Sequence, residues 1–512
     1  MNLSEQMNLI NKIETELPVE SWTINGIHIW PLIRISLGTY LSYDEIDNSV
    51  ADQHGNSAKK IAQLKALIKG QADYIRAYIT DFSNNAQIKQ KVDAVFLGDQ
   101  VSRIYFNESW YDRFCDPFIS VFKESGKKCL HMEPLHRCLT PRYAPGVFIQ
   151  PQLDYLKIRS LLARSKVNNS KIKLEDFKIF QRMIETNNVN FQLSFNQLAQ
   201  YAYRLRLYAD FFIKIFVDVN PQIAFIVSYY GLEGMAFNLA CHEMGIPSVD
   251  IQHGVQGDLH RAYGRWNKLP ETGYELLPTI FWVWSEVEAK AINKWNEKVK
   301  RWHWPFIGGN PWLNLWWDDE NSISVYYKNQ IDNIDGFSES IIKILLTLQP
   351  GIPNHGIPEW LIKVIDSSPS DWFWLIRVHP GMLQERENIK KLIAACSHKM
   401  VNVDDATDLP LPSILKSVDV HVTCHSSIVI EAQQYGVPSV AFSDMGKELY
   451  LEQLKLGWLE VAYSEDSLLA MIRQQHKKKS KLGSILIQHN NTTANIRLLM
   501  KYVEKRFISN SC

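Results

Sequence analysis

A chain of 512 residues exceeds what one ordinary core serves, and two α/β domains of a few hundred residues each are the natural expectation. Lys plus Arg and Asp plus Glu each number 55, a balance that removes the basic footprint of a non-specific nucleic-acid binder. Seven scattered cysteines, odd in number and without a CxxC pair, exclude a disulfide framework and a Cys-rich zinc module, and read as reduced cytoplasmic thiols.

The opening stretch MNLSEQMNLINKIETELP is too polar for a signal peptide, and no uninterrupted apolar run reaches transmembrane length. The expectation is a soluble, cytoplasmic protein. Residues 1–90 read as a helical N-terminal extension. Residues 91–315 form a first β/α domain. It opens with the buried strand DAVFLG, the helix DPFISVFKESGKK and the strand CLHMEP. A helical middle leads to the strand IAFIVSYY and the helix GLEGMAFNLACHEMG. That helix carries Leu232, Met235, Ala236, Leu239, Ala240 and Met244 as one sheet-facing stripe. The strands IPSVDIQHG and TIFWVWS and the strand end PFIGGNPWLN, with Asn310, complete the domain.

A polar linker is placed at 316–336. Residues 337–512 restart the rhythm as a second domain, with strands SIIKILLTLQPG, WFWLIRVHPG, VHVTCHSS and VPSVAFSD alternating with helices. The fold class expected is α/β, two Rossmann-like domains facing across an interdomain cleft. The tryptophan clusters FWVWSE, RWHWPF, PWLNLWW and DWFWLI read mainly as packing, with sugar stacking or a membrane surface as the alternative. The basic run HKKKSK (476–481) reads as a solvated helix end, with anionic lipid headgroups as the alternative.

Ligands in open α/β sheets bind beyond the carboxyl ends of strands. Four loops there are rich in polar groups: YYGLEG, IQHGVQGDLHR, IRVHPG and TCHSS. In IRVHPG, His379 ends a strand before Pro380 and Gly381, and could donate to a leaving phosphate, or could simply bond backbone. Arg377, two residues back, adds charge or forms a structural pair. In YYGLEG, Glu233 opens a helix, where the dipole favours a carboxylate. In IQHGVQGDLHR, Gln252, His253, Gly254, Asp258, His260 and Arg261 are candidates to meet a substrate.

The stretch VHVTCHSSIVIEAQQYGVP does not read as a metal site. His421 and His425 are four residues apart on a strand, about 13 Å at the usual rise, and Cys424 faces the other way. No glycines flank the serines as a nucleophile elbow requires. It reads as a strand-to-helix turn with Ser427 as N-cap, His425 and Ser426 beside it, and a helix terminus suited to phosphate. Glu431, one residue past the capping-box position, could reach a ribose hydroxyl. No metal ligands are assigned and no cofactor is expected.

In their order, QHG, GGNP, VHP and SSIVIEAQQYGVP resemble the GT-B glycosyltransferases of bacterial surface-polysaccharide assembly (lipopolysaccharide and capsule). The likeness covers about residues 90–500. HP followed by SS is also similar to the sialyl- and Kdo-transferase pattern for CMP-activated donors. The resemblance implies a nucleotide-sugar donor, a saccharide or lipid-linked acceptor, and catalysis without bound metal. It gives His379 the donor phosphate, Ser426 and Ser427 the cradle, and Glu431 the ribose. Glu233–Gly234 would match the catalytic carboxylate of those families, although Leu232 stands where they carry a second acidic residue. His253 is the second candidate for the base. Two other readings keep the fold: a UDP-sugar 2-epimerase-like enzyme, and a non-catalytic polysaccharide-binding subunit.

Overall fold

A computed structural model describes residues 1–47, 89–99, 102–134, 139–163, 167–317, 322–482 and 491–508. The chain divides into two compact units, Leu3–Pro311 with Asn491–Cys512, and Trp312–Asn490. Each is built on a parallel sheet. The first unit contributes β1 (Ala94–Leu97), β2 (Cys129–Glu133), β3 (Val147–Phe148), β4 (Ile223–Val227), β5 (Ser248–Ile251), β6 (Ile280–Val283) and β7 (Trp304–Ile307). The second contributes β8 (Ile342–Thr347), β9 (Trp372–Arg377), β10 (Val401–Asn402), β11 (Val420–Thr423), β12 (Ser439–Ala441) and β13 (Leu459–Val461).

Spatial order in the first sheet is β3-β2-β1-β4-β5-β6-β7, and in the second β10-β9-β8-β11-β12-β13. Counted within its own unit, each follows the doubly wound 3-2-1-4-5-6 order of a Rossmann sheet. The chain reverses direction across each sheet between the first and fourth strands. That puts one switch point between β1 and β4 and the other between β8 and β11. The expected α/β class with two Rossmann-like domains is what the chain adopts.

These strands are apolar because both faces are covered. β1, β4 and β6 are buried at every residue. Phe96 of β1 stacks on its register partner Phe225 of β4, with centroids 4.6 Å apart. The tryptophan clusters are largely core: Trp282, Trp312, Trp316 and Trp374 are among the fully buried side chains.

The helix Leu232–Met244 departs from the single stripe expected. Gly234 through Cys241 are all buried, whereas Leu232 is half-buried and Met244 exposed. The long helix Phe195–Val219 covers its outer side, with Phe212 and Phe216 meeting Phe237 edge-on at 5.3 and 5.4 Å.

The N-terminal residues are not an extension. The helices Leu3–Glu16 and Trp30–Asp47 bury Ile10, Ile13, Trp30 and Ile33 in the same core as the first sheet. Thr23–Ile24 pairs with Ile27–His28 and with Ile172–Lys173. Arg34 and Glu14 form a wholly buried ion pair at 3.2 Å, and Arg34 Nη2 donates to the Gly264 carbonyl at 2.7 Å. Residues 48–88 of the expected extension lie outside the described residues.

At the other end, the helix Thr492–Val503 belongs to the first unit, not to a second domain running to 512. The expected linker contains the helix Ser322–Asp332, whose Ile331 is buried in the second unit; residues 318–321 lie outside the described residues. Cys115, Cys129, Cys241, Cys396 and Cys424 are free thiols, and Cys138 and Cys512 fall outside the described residues. Among the described residues no helix is long and apolar enough to cross a membrane. Of the basic run, Lys478 pairs with Glu460 at 2.8 Å.

Candidate functional site

In the second unit, the loops after β8, β9 and β11 converge at its switch point. Gln349, just past β8, organises them. Its Nε2 donates to Thr423 Oγ1 at 3.0 Å, and its Oε1 accepts from the His425 amide at 3.2 Å. Thr423 Oγ1 in turn accepts from the Ser426 amide at 3.1 Å. The turn carrying His425, Ser426 and Ser427 is therefore held by buried side chains.

His379 follows β9 and is half-buried. Its Nδ1 accepts from the Gly381 amide at 3.0 Å, which places the imidazole proton on Nε2. His379 is close enough to His425 to help burial, the larger effect, pull the His425 imidazole down. His425 Nδ1 is buried without a hydrogen bond among the described residues, and the His425 carbonyl accepts from Tyr450 Oη at 3.0 Å. Glu431 is 8 % exposed, and its charge adds to the burial that pushes the Tyr450 phenol up.

Ser427 occupies the N-cap position but does not cap. Its φ/ψ are helical, and Ser426 Oγ accepts from the Ile428 amide at 3.3 Å instead. The helix is short, Ile428–Gln434, so the hydroxyls and loop amides, more than a dipole, define this corner. Arg377, expected either to add charge for the donor or to form a structural pair, donates from Nη1 to the Ala406 and Leu409 carbonyls at 2.8 and 2.7 Å, tying β9 to the neighbouring loop. His421 is a sheet residue, linking Thr347 Oγ1 at 2.8 Å and Ser439 Oγ at 3.0 Å. Burial pulls it down to about 3, so it is neutral.

In the first unit the corresponding loops follow β4 and β5. Asp250, inside β5, anchors both. Its Oδ1 accepts from the Tyr229 amide at 3.1 Å and its Oδ2 from Tyr263 Oη at 2.9 Å, while burial pushes its carboxyl up to about 7. Ser228 takes a left-handed φ of 64° at the end of β4, a backbone cost commonly met at functional turns. Tyr230 then reaches His253, with Oη 3.0 Å from Nε2. Phe114 lies edge-on to the imidazole at 6.2 Å, and His260 packs on Tyr230 and Tyr263 at 5.6 and 4.8 Å. Burial lowers the His253 imidazole, with Asp99 opposing, so it is neutral at pH 7.

Glu233 is half-buried on the first turn after β4, 3.7 Å from where a Cβ on Gly231 would stand. Its charge adds to the burial that raises the Tyr208 phenol of the covering helix. Gly234 has a packing reason of its own: a Cβ there would lie 2.5 Å from the Tyr229 carbonyl oxygen. Gly234→Ala is expected to destabilise the chain by about 1–3 kcal/mol, since backbone cannot yield as a side chain can; urea unfolding measures this.

Three residues expected to meet a substrate have other work. Gln252 is fully buried and spends both ends of its amide on the fold, Nε2 donating to Gly254 O at 3.0 Å and Oε1 accepting from Trp284 N at 2.7 Å. Asp258 is paired with Lys294. Arg261 crosses Gly38 toward the N-terminal helix, its Nη1 3.3 Å from Ser42 Oγ. Gly254 lies half-buried beside His253, and Asn310 is buried after β7. Gln349, Tyr230, Asp250 and Tyr450 went unread. The signals were there in a charged residue inside the strand SVDI, paired tyrosines at a strand end, and a glutamine immediately after β8.

No protein-family model and no curated protein matches this sequence. Among solved structures, the chain is similar to a UDP-GlcNAc 2-epimerase from Neisseria meningitidis bound to UDP-GlcNAc, at 12% identity over 81% of this chain and 100% of that one, TM-score 0.49. A putative UDP-N-acetylglucosamine 2-epimerase from Listeria monocytogenes shows 11% identity over 81% and 96%, TM-score 0.46. The wall teichoic acid polymerase TagF shows 10% identity over 89% and 98%, TM-score 0.46.

Proposed function

We propose that this chain is a glycosyltransferase acting on a nucleotide-activated sugar, with a saccharide or lipid-linked saccharide as acceptor. The observation that carries the reading is His379: its Nδ1 accepts from the Gly381 amide, which leaves the ring proton on Nε2, and the residue lies near enough to His425, in the turn of two serines at the β8/β11 switch point, to affect that imidazole. That combination suits a phosphate that gains charge as it leaves. Ser426 and Ser427 would meet its oxygens and Glu431 the ribose.

In the first unit His253 is the better base. It is neutral, oriented by Tyr230 and packed by Phe114, whereas Glu233 sits over Gly231 near the covering helix. As base its Nε2 would take the Tyr230 phenol proton while Tyr230 Oη takes the acceptor hydroxyl proton, as the glycosidic C–O bond forms and the sugar–phosphate bond breaks.

A thermal-shift panel of CMP, UDP, GDP and CDP tests the binding half. One nucleotide should stabilise the second unit by about 2.7 kcal/mol at a hundredfold excess over Kd. A CMP-specific shift would favour a sialic acid or Kdo donor; no shift with any nucleotide would remove the reading. UDP-GlcNAc incubated without acceptor separates transfer from epimerisation, since a 2-epimerase turns over alone.

A further inference from the structure

Near the His253 loop, the first unit closes a buried cluster that glycosyl transfer does not use. Asp112 ends the strand Ser109–Asp112, which pairs with Arg103–Phe106 in a hairpin. Its Oδ1 accepts from the Phe114 and Cys115 amides at 3.0 and 2.9 Å, opening the helix Cys115–Glu124. Asp116 Oδ2 accepts from the Asp112 amide at 2.8 Å. This double cap fixes Asp112 and Cys115 next to His131, in the middle of β2. One ligand atom each of Asp112, Cys115 and His131 lie within 4.8 Å of one another. None of the three residues is more than 1 % exposed. Asp112 Oδ2 and both ring nitrogens of His131 are buried without a close hydrogen bond among the described residues, Asp112 Oδ2 facing His131 Nε2 only as an ion pair at 3.5 Å. Gly98, at the end of β1, leaves the space: a Cβ there would stand 2.6 Å from His131 Nε2 and 2.8 Å from Asp112 Oδ2.

We propose that Asp112, Cys115 and His131 supply three ligands to a buried divalent cation of the zinc class, whose fourth tetrahedral position a water would fill. Thiolate, imidazole and carboxylate together make the donor set that a borderline-soft ion accepts. Tetrahedral bonds of about 2.0–2.3 Å put ligand atoms about 3.3–3.8 Å apart; Asp112 Oδ2 and His131 Nε2 are 3.5 Å apart. Asp116 Oδ1 stands 4.0 Å from His131 Nδ1, the other ring nitrogen, where a carboxylate orients a ligating imidazole.

Among the described residues, Arg103 and Arg142 both pair with Glu133, the last residue of the same strand as His131. Binding of a dication would release the Cys115 thiol proton to solvent, since the thiolate is the ligand. No CxxC pair or loop motif marks this set, because it is spread over a hairpin, a helix start and a strand.

Elemental analysis of the intact chain from zinc-supplemented culture should find stoichiometric zinc, lost in Cys115→Ser. Wild type loaded with Co2+ should show thiolate-to-cobalt charge-transfer absorption that the variant lacks. Should the variant not fold, wild type decides alone: chelator should lower Tm, and zinc but not magnesium should restore it. A wild-type chain without zinc, with no charge-transfer band and with a Tm indifferent to chelator and zinc, would overturn the proposal and leave a buried ion network. None of these readouts depends on a sugar or nucleotide, so they are independent of the transferase reading.

Discussion

Replacing His379 with alanine is expected to lower kcat by about 10²–10³-fold and leave the chain folded. The imidazole is half-buried, and the bond from the Gly381 amide to its Nδ1 is local to the turn. Losing that bond costs about 1 kcal/mol, too little to unfold a two-unit chain. What disappears is the Nε2 proton, a donor whose value rises as charge develops on the leaving phosphate. The loss should therefore fall on kcat more than on nucleotide affinity. Asparagine, whose amide can accept from Gly381 while its N–H₂ donates outward, should recover part of the rate. Wild-type turnover in His379→Ala would take the residue out of the mechanism.

His253→Ala should cost about 10²–10⁴-fold, the span of general base catalysis. The pH profile carries the sharper test. Burial places the folded His253 value below the ordinary 6.5, so the base stays neutral and active as pH falls through 6.5. The acidic limb of kcat/KM should then lie below that value and vanish in the variant. Tyr230→Phe removes the 3.0 Å contact to Nε2 without touching the fold's apolar packing, and should lower kcat and move the limb while KM holds. An unaltered profile in His253→Ala would pass the base role to Glu233.

Much of the fold was legible because parallel strands covered on both faces read as unbroken apolar runs. IAFIV, IFWV and WFWLI could hardly be anything else, and the glycines and prolines after them mark the loops. The N-terminal residues could not be read this way. Trp30 and Ile33 find partners in residues more than a hundred positions away, and Arg34 needs Glu14 and the Gly264 carbonyl to be tolerable at zero exposure.

The site divides similarly. Residue type and loop position pointed to His253, His379, Ser426 and Ser427, which lie where strand ends put them. They could not separate a glutamine that meets solvent from Gln252, whose amide is consumed by Gly254 and Trp284, or a free guanidinium from Arg377, which serves two carbonyls. That distinction is made by backbone groups, which carry no sequence signature.

The return of the helix Thr492–Val503 to the first unit has a consequence for biogenesis. Its Ile496, Leu499, Met500 and Val503 are buried, Asn495 Nδ2 donates to the Gly308 carbonyl at 3.2 Å, and Tyr502 meets Trp304 with centroids 4.8 Å apart. A ribosome delivers these residues only after all of the second unit has been made. The earlier-translated half must wait with an apolar seam open along its sheet, while the later half can finish its own sheet first. Order of synthesis and order of completion are thus inverted, and a nascent chain stalled before residue 491 would expose that seam to chaperones.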